Sequence, residues 1–290
     1  MTWKISAKQH FAQQDDFCRI NIHSIPAGFP LHCHDYVEIV IILSGSGDHL
    51  INGKPYPIGS GDVYVLHGNQ EHGFLNASPD LRVCNVMFRP ELVCFPFERL
   101  KHLSGYQALF VLEPARRTDS EFKSLLRLDS IRLKEVLEKV QVLKFELEKR
   151  TPGFDSITQA YLLELIVFLS RAYSSNSGNS GQGLLRFSEA VAWMEQNYLQ
   201  AATVADLACR AAMSERHFLR MFRQAFNVSP LEHLIQLRIR HAQRLLQDGR
   251  WNIDQTAHAS GFSDSNYFSR QFRRIAGMPP RGYKSLYKKP

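Results

Sequence analysis

The sequence predicts an α+β protein of two domains: an N-terminal β-barrel or sandwich carrying helices, then an all-α domain built from two helix-turn-helix units. Three observations predict it. Short β-branched and aromatic runs punctuated by Gly, Pro and Asn fill residues 17–88. A stretch of only Ser, Asn, Gly and Gln, residues 174–183, follows two helical patterns. Beyond it, one segment occurs twice, at an offset of 49 to 50 residues.

The bulk properties fit that division. With 290 residues, 44% apolar and 22% charged, the chain can bury two ordinary cores. Its first ten residues lack an apolar signal core, and the most apolar run, residues 161–169 with Glu164 inside it, is too short to span a bilayer. A cytoplasmic chain without a membrane partner is expected. Five cysteines (Cys18, Cys33, Cys84, Cys94, Cys209) at no metal or framework spacing fit free thiols. The net charge of +7 is uneven: from Leu184 onward 13 Arg and 3 Lys face 8 Asp plus Glu, about +8, while the rest carries 19 basic against 20 acidic residues. A field clustered on one domain favours a polyanion partner, although a solvated basic face reads the same way.

Within the β region the runs are residues 17–25, 31–43, 47–51, 61–67 and 81–88, and Asn52-Gly53 is a two-residue hairpin signal. On an extended strand positions 32, 34, 36 and 38 share a face, so His32, His34 and Glu38 converge with Tyr36 while Cys33 points away. His72 from a neighbouring strand completes three histidines and one carboxylate, a set suited to a divalent transition metal. The same side chains could instead line a ligand pocket or hydrogen-bond one another. HCHDYVE followed by Gly45, then PIGSGDVYVLHGNQEHGFLN with Pro57, Gly61, His72 and Asn76, resembles the two motifs of the cupin barrel. That resemblance implies a cupin-like barrel in which no cofactor is required and a divalent metal is the possible one, with His67, near the mouth, a structural or pocket histidine rather than a ligand.

Two helices are predicted next, residues 120–150, ended by Pro152-Gly153, and residues 156–173. The second is apolar over most of its surface. Its extra stripe, Leu162, Leu165, Ile166 and Leu169, is core or a dimer face, and the dimer face is favoured. Residues 174–183 then read as a tether whose ends wander about 17 Å apart as a Gly/Ser coil. The domains are therefore placed at 1–173 and 184–290.

In the repeat, Thr203 onward aligns with Asn252 onward, matching Ser214 to Ser263, Phe218 to Phe268, Arg220 to Arg270, Phe222 to Phe272 and Pro230 to Pro280. Each copy opens on a cap and partner (Thr203 with Asp206, Asn252 with Gln255), turns at Ala212-Met213 or Gly261-Phe262, and enters a second capped helix. Tyr267, Phe268 and Phe272 fall on one side of that last helix. The pattern assigns Phe218, Phe222, Phe262, Phe268 and Phe272 to the core. Between the copies a capping box, Ser229 with Glu232, and Pro230 open a linking helix that stops at Asp248-Gly249. About 18 residues give a rod of roughly 27 Å, near the roughly 34 Å between successive major grooves.

Two such units, the linking helix with Arg238, Ala242, Leu245 and Leu246, and the ending GFSDSNYFSRQFRRIAGMPPRGY resemble the AraC/XylS family of bacterial transcription regulators. Within that family the barrel motifs and SDSNYF resemble the activators of L-rhamnose catabolism. The resemblance implies a sequence-specific DNA-binding regulator, not an enzyme: a cytoplasmic homodimer with double-stranded DNA, a sugar effector such as L-rhamnose bound by His32, His34, Tyr36, Glu38 and His72, and RNA polymerase as partners. By position the DNA-contacting residues are Glu215, Arg216, His217 and Arg220, then Ser265, Asn266, Ser269, Arg270 and Arg273, with Arg suited to guanine and Asn to adenine. Thr256 departs from the family's usual Ile and is expected to loosen its helix. The rivals are a metal-dependent cupin enzyme fused to a DNA-binding domain and a DNA-binding protein without a ligand.

Overall fold

The computed structural model describes residues 3–11, 13, 15–25, 27–116, 126–175 and 182–287. They form two compact units, residues 1–188 and 189–290. In the first, β1 (Trp3–Ile5) and α1 (Ala7–His10) precede β2 (Cys18–Ser24), β3 (Phe29–His34), β4 (Val37–Ser44), β5 (Ser46–Ile51), β6 (Lys54–Gly59), β7 (Val63–Leu66), β8 (His72–Leu75) and β9 (Arg82–Phe88). Two sheets result, ordered β1-β3-β8-β5-β6 and β2-β9-β4-β7.

The run 31–43 is not one strand. It bends at Asp35-Tyr36, and β3 and β4 belong to different sheets. The sequence also hides β6, where Pro55 and Pro57 would break a central strand but are tolerated at the sheet edge that β6 occupies. The Asn52-Gly53 turn is as expected, both residues having positive φ (49° and 77°) in the β5–β6 hairpin.

Side-chain alternation sorts the second sheet into two faces. Ile39, Ile41, Val63, Val65, Cys84, Val86 and Cys18 pack toward the helices, whereas Val40, Ile42, Tyr64, Leu66 and Val83 pack inside the barrel with Phe74, Tyr56 and Ile58 of the other sheet.

A 3-10 turn (Pro90–Leu92) and α2 (Phe97–Leu100) lead to α3 (Ser104–Tyr106), which continues through a wide π turn (Gln107–Leu112) into α4 (Glu113–Arg116). The helix predicted from residue 120 starts later: α5 is Ser130–Lys149, capped by Asp129, whose carboxylate accepts from Arg132 N. Residues 117–125 lie outside the described set. Residues 126–128 are extended because the barrel captures them. Arg127 donates twice to Asp62, at 2.7 and 2.9 Å, and Leu126 and Leu128 are buried. The approach is close: a Cβ on Gly61, whose φ is +90°, would lie 2.2 Å from the Leu128 carbonyl oxygen.

Helix α6 (Phe154–Ser175) corrects a second expectation. Leu162, Leu165, Ile166 and Leu169 are fully buried in the core of their own unit with Leu109, Phe110, Val136, Val140 and Leu143, so the stripe is not a dimer face. The segment 104–112, which had no helical signature, covers it. The tether shortens as well. Ser174 and Ser175 end α6, Gln182 and Gly183 begin α7 (Gln182–Gln196), and only residues 176–181 remain, outside the described set. The division between the units falls within α7 rather than at residue 184.

The second unit contains α8 (Val204–Arg210), α9 (Glu215–Phe226), α10 (Pro230–Asp248), α11 (Ile253–Ala259), α12 (Ser265–Ala276) and α13 (Pro280–Ser285). The repeat is a repeat of backbone: α8 and α11 each have 7 residues, α9 and α12 each 12. Both capping boxes form, Thr203 with Asp206 and Asn252 with Gln255. Ala212 and Gly261 occupy the same turn in left-handed conformation, φ 50° and 79°. The expected box at Ser229 is half made. Ser229 accepts from Glu232 N, but the Glu232 carboxylate instead pairs with Arg274 at 2.9 Å. Phe218, Phe222, Phe268 and Phe272 are fully buried and Phe262 nearly so. Thr256 is buried too, its hydroxyl donating to the Asn252 carbonyl at 2.7 Å, so the polar atom is satisfied within its helix. All five cysteines are free, and among the described residues no helix is long and apolar enough to cross a membrane.

Leu165→Ala removes a fully buried side chain and is expected to cost about 2–5 kcal/mol of stability. Because the residue is internal, sedimentation should find the oligomeric state unchanged while urea unfolding shifts to lower concentration.

Candidate effector site and nucleic-acid interface

Although the strand that was to align them is broken, the barrel still gathers His32, His34, Glu38 and His72. β3 and β8 are paired with His32 opposite His72, and β4 delivers Glu38 from the other sheet. His34 Nε2 lies 3.2 Å and His72 Nε2 3.4 Å from Glu38 Oε2, and all three residues are buried. These are the residues whose ligand atoms lie within 4.8 Å of one another; His32 does not join that set. Its Nδ1 donates to the Pro30 carbonyl at 3.1 Å and its ring packs 4.1 Å from that of His72. Burial above all holds its pKa below the ordinary histidine range.

The protonation of His34 is constrained by its second nitrogen. Nδ1 lies 2.9 Å from the Tyr36 carbonyl oxygen, which can only accept, so Nδ1 carries a hydrogen. The lone pair of Nε2 then faces Glu38 Oε2, and a proton or a cation between them makes the contact favourable. A neighbouring carbonyl that fixes the ring in this way is also the usual companion of a metal-binding histidine. Tyr36 stacks on His34 at 4.1 Å and is buried against Ala7, Phe11 and Met87. Burial, then the Glu38 charge, pushes its hydroxyl pKa well up. It closes the site rather than lying open to it.

The sequence reading missed His49, whose Nε2 is 3.4 Å from His72 Nδ1 and whose ring stacks on Phe74 at 4.5 Å. It missed the inner face of β2 as well. Cys18, Ile20 and Ile22 face the helices, so Arg19, Asn21 and His23 face the interior, and the polar-apolar alternation of CRINIH was the available signal. His67, by contrast, combines both expected roles, donating from Nε2 to the Phe110 carbonyl at 2.7 Å and lining a shallow pocket with Gln70, Phe110 and Pro114.

In the second unit the two capped helices that follow the turns expose a polar side. Glu215, Arg216, His217 and Arg220 on α9, and Asn266, Arg270 and Arg273 on α12, are exposed; Ser265 and Ser269 are half-buried. Arg220 donates to His217 Nδ1 at 3.1 Å, so these two share one edge. Tyr267, expected on the inner side, is 36% exposed at the rim. Arg274 is held by Glu232 and by Gln271. Arg238 on α10 donates to the carbonyls of Tyr198 (2.8 Å), Gln200 (3.0 Å) and Gly261 (2.8 Å), fastening the approach to α8 and the α11–α12 turn to one helix.

Residues 16–166 match the AraC-like ligand binding domain, and residues 207–285 match a helix-turn-helix domain. The chain belongs to the AraC family. Its relatives include the HTH-type transcriptional activator RhaS of Escherichia fergusonii, 30% identical over 96% of this chain and 95% of that protein. The RhaS activator of Pectobacterium carotovorum is 27% identical over 88% of both chains, and the RhaR activator of Escherichia coli O1:K1 28% identical over 89% of this chain and 88% of its own. This AraC-family protein is thus a transcription regulator that joins a ligand-binding barrel to a domain for double-stranded DNA, and its relatives are regulators rather than enzymes.

His10, on α1, sets a pH response. Burial, reinforced by Arg19, lowers the His10 pKa from 6.5 to about 4. His10 is therefore neutral in the fold, and the unfolded chain takes up its proton first as pH falls. The stability it contributes is complete above about pH 6.5 and lost between there and about pH 4. Urea midpoints measured across that window should fall on acidification, and His10→Phe, which keeps the ring against Tyr36, should flatten the slope.

Proposed function

We propose that this AraC-family protein is a one-component activator of carbohydrate-metabolism genes whose effector, a sugar such as L-rhamnose, enters the barrel. The observation that carries the reading is the duplicated reader: two units of equal helix lengths, with Phe218, Phe222, Phe268 and Phe272 buried and their polar edges exposed, in a chain whose relatives are named activators. The effector acts by having different affinities for two arrangements of the protein.

Glu215, Arg216, His217 and Arg220 form one reading edge, Ser265, Asn266, Ser269 and Arg270 the other, with Arg273 on phosphate. Arg274, engaged by Glu232, serves the fold instead. RNA polymerase is the partner that activation requires. A second copy of the chain is the further partner; the apolar surface open to it is the side of α5 bearing Ile131, Val142 and Phe145, in place of the buried stripe of α6.

His34, Glu38 and His72 also suit a divalent metal, which would relieve the contact of His34 Nε2 with the carboxylate and offer open coordination positions to vicinal hydroxyls of a sugar. Elemental analysis of the purified chain should then find a divalent metal that Glu38→Ala abolishes. Stoichiometric metal together with turnover of a substrate would favour the fused-enzyme reading.

Selection of duplexes from random DNA at about 150 mM salt, with and without L-rhamnose, tests the main reading. Enrichment of one sequence with a sugar-dependent affinity is expected; equal binding to all duplexes and indifference to sugars would overturn it. On the selected duplex, Arg270→Ala should relax preference at one or two base pairs, costing about 1–3 kcal/mol there, whereas Arg273→Ala should weaken every sequence alike and flatten the salt slope.

A further inference from the structure

We propose that Arg238, with Gly261 packed against it, is a positioning residue that sets the separation of DNA subsites the two readers accept. This rests on α9 and α12 being the two reading edges, and it assigns what holds them to one distance and one angle. Its ground is a junction at which the two readers meet beside the rod.

The loop 197–200 carries the chain into α8 of the first reader, and the turn at Gly261 carries it into α12 of the second. Arg238 spans both. Its Nε donates to the Tyr198 carbonyl at 2.8 Å, Nη2 to the Gln200 carbonyl at 3.0 Å and Nη1 to the Gly261 carbonyl at 2.8 Å. Tyr198 is fastened to α10 a second time, its hydroxyl sharing a hydrogen bond with His241 Nδ1 at 3.0 Å. The backbones are close there as well: a Cβ on Gly261 would lie 3.0 Å from Arg238 Nε and 3.1 Å from the Leu199 carbonyl oxygen. The matching turn of the first reader shows what this contact demands. Ala212 adopts the same left-handed conformation but is exposed, so its methyl is tolerated; at 261 a methyl would press on the junction.

The duplex makes this alignment matter. One base pair inserted between two subsites moves the second by about 3.4 Å along the axis and turns it by about 35°. Packing of Phe262, Phe268 and Phe272 on α10 is non-directional and can yield to part of that turn. A planar guanidinium with three acceptors in place yields far less, and an ammonium could not reproduce its fork. The pair of Glu232 with Arg274 also ties α10 to α12, but it is half-exposed and screened by salt, so the alignment falls to Arg238.

Selection by the full chain from duplexes of random sequence, then binding to the selected duplex with one base pair inserted or removed between its subsites, tests the proposal. The wild type should select one separation, about one helical turn, and bind the altered spacings poorly. Arg238→Lys keeps the charge without the fork, and Gly261→Ala presses the junction apart. Each should reduce discrimination between selected and altered spacings roughly tenfold, the scale of one charge-assisted hydrogen bond, while a duplex holding a single subsite binds as it does to the wild type. Ala212→Gly, the reverse exchange at the exposed turn, should leave the spacing preference unchanged. Melting temperatures report which variants fold, and if Arg238→Lys does not, Gly261→Ala decides. Wild-type discrimination in the junction variants, an equal loss of affinity at every spacing, or the same relaxation in Ala212→Gly would overturn the proposal. If the wild type selects no paired subsites, the two-reader reading fails first, and this inference falls with it.

Discussion

The structure of the N-terminal unit depends on one constraint, the strict alternation of side chains across β2-β9-β4-β7. A strand can bury both faces only where each face has something to meet. Here the outer face meets α5, α6 and the helical segment 104–112, and is apolar through Cys18, Ile39, Ile41, Val63, Val65, Cys84 and Val86. The inner face changes character along its length, apolar at Val40, Ile42 and Val83 and polar at Glu38, Asn85 and His23. Shifting β4 by a residue would drive Glu38 into the helix layer and Ile39 into the barrel interior. The packing of the helices and the chemistry of the pocket are therefore fixed by the same register.

In the C-terminal unit the comparable role falls to α10. Its apolar side, Ile235, Ile239, Ala242 and Leu246, carries Phe262, Phe268 and Phe272 of the second reader, and its N-terminal half meets the first through His233, which contacts Phe222 and Phe226 and pairs with Glu195 at 2.7 Å. Arg238 adds what apolar packing lacks, which is direction. A guanidinium donating to three carbonyls accepts little rotation of either reader about the rod, and burying so much of it is tolerable only because those carbonyls answer its donors.

What the sequence disclosed were the features with local causes. Caps at Thr203, Asn252 and Ser214, the Asn52-Gly53 turn, and phenylalanines at helical spacing are each specified by residues within a few positions. Features with distant causes stayed hidden. Residues 126–128 look helical until Asp62, far away in the chain, supplies a partner for Arg127. The stripe Leu162 to Leu169 looks surplus because the segment 104–112, with no helical signature, supplies its cover. The site was half legible: His34, Glu38 and His72 came from a motif, although through a strand that turns out to be two. Asn21 and Asn85 carry no motif, and their place emerges only from the pairing of β2 with β9.

The equality of the two readers in backbone hides an inequality in side chains. Where α9 presents Glu215, Arg216 and His217, α12 presents Ser265, Asn266 and Tyr267 on the same scaffold. A pair of this kind has no internal two-fold axis, and reversing the protein on a duplex exchanges two chemically different edges. One chain thus carries an arrow. A duplex read by two such edges would have a defined direction.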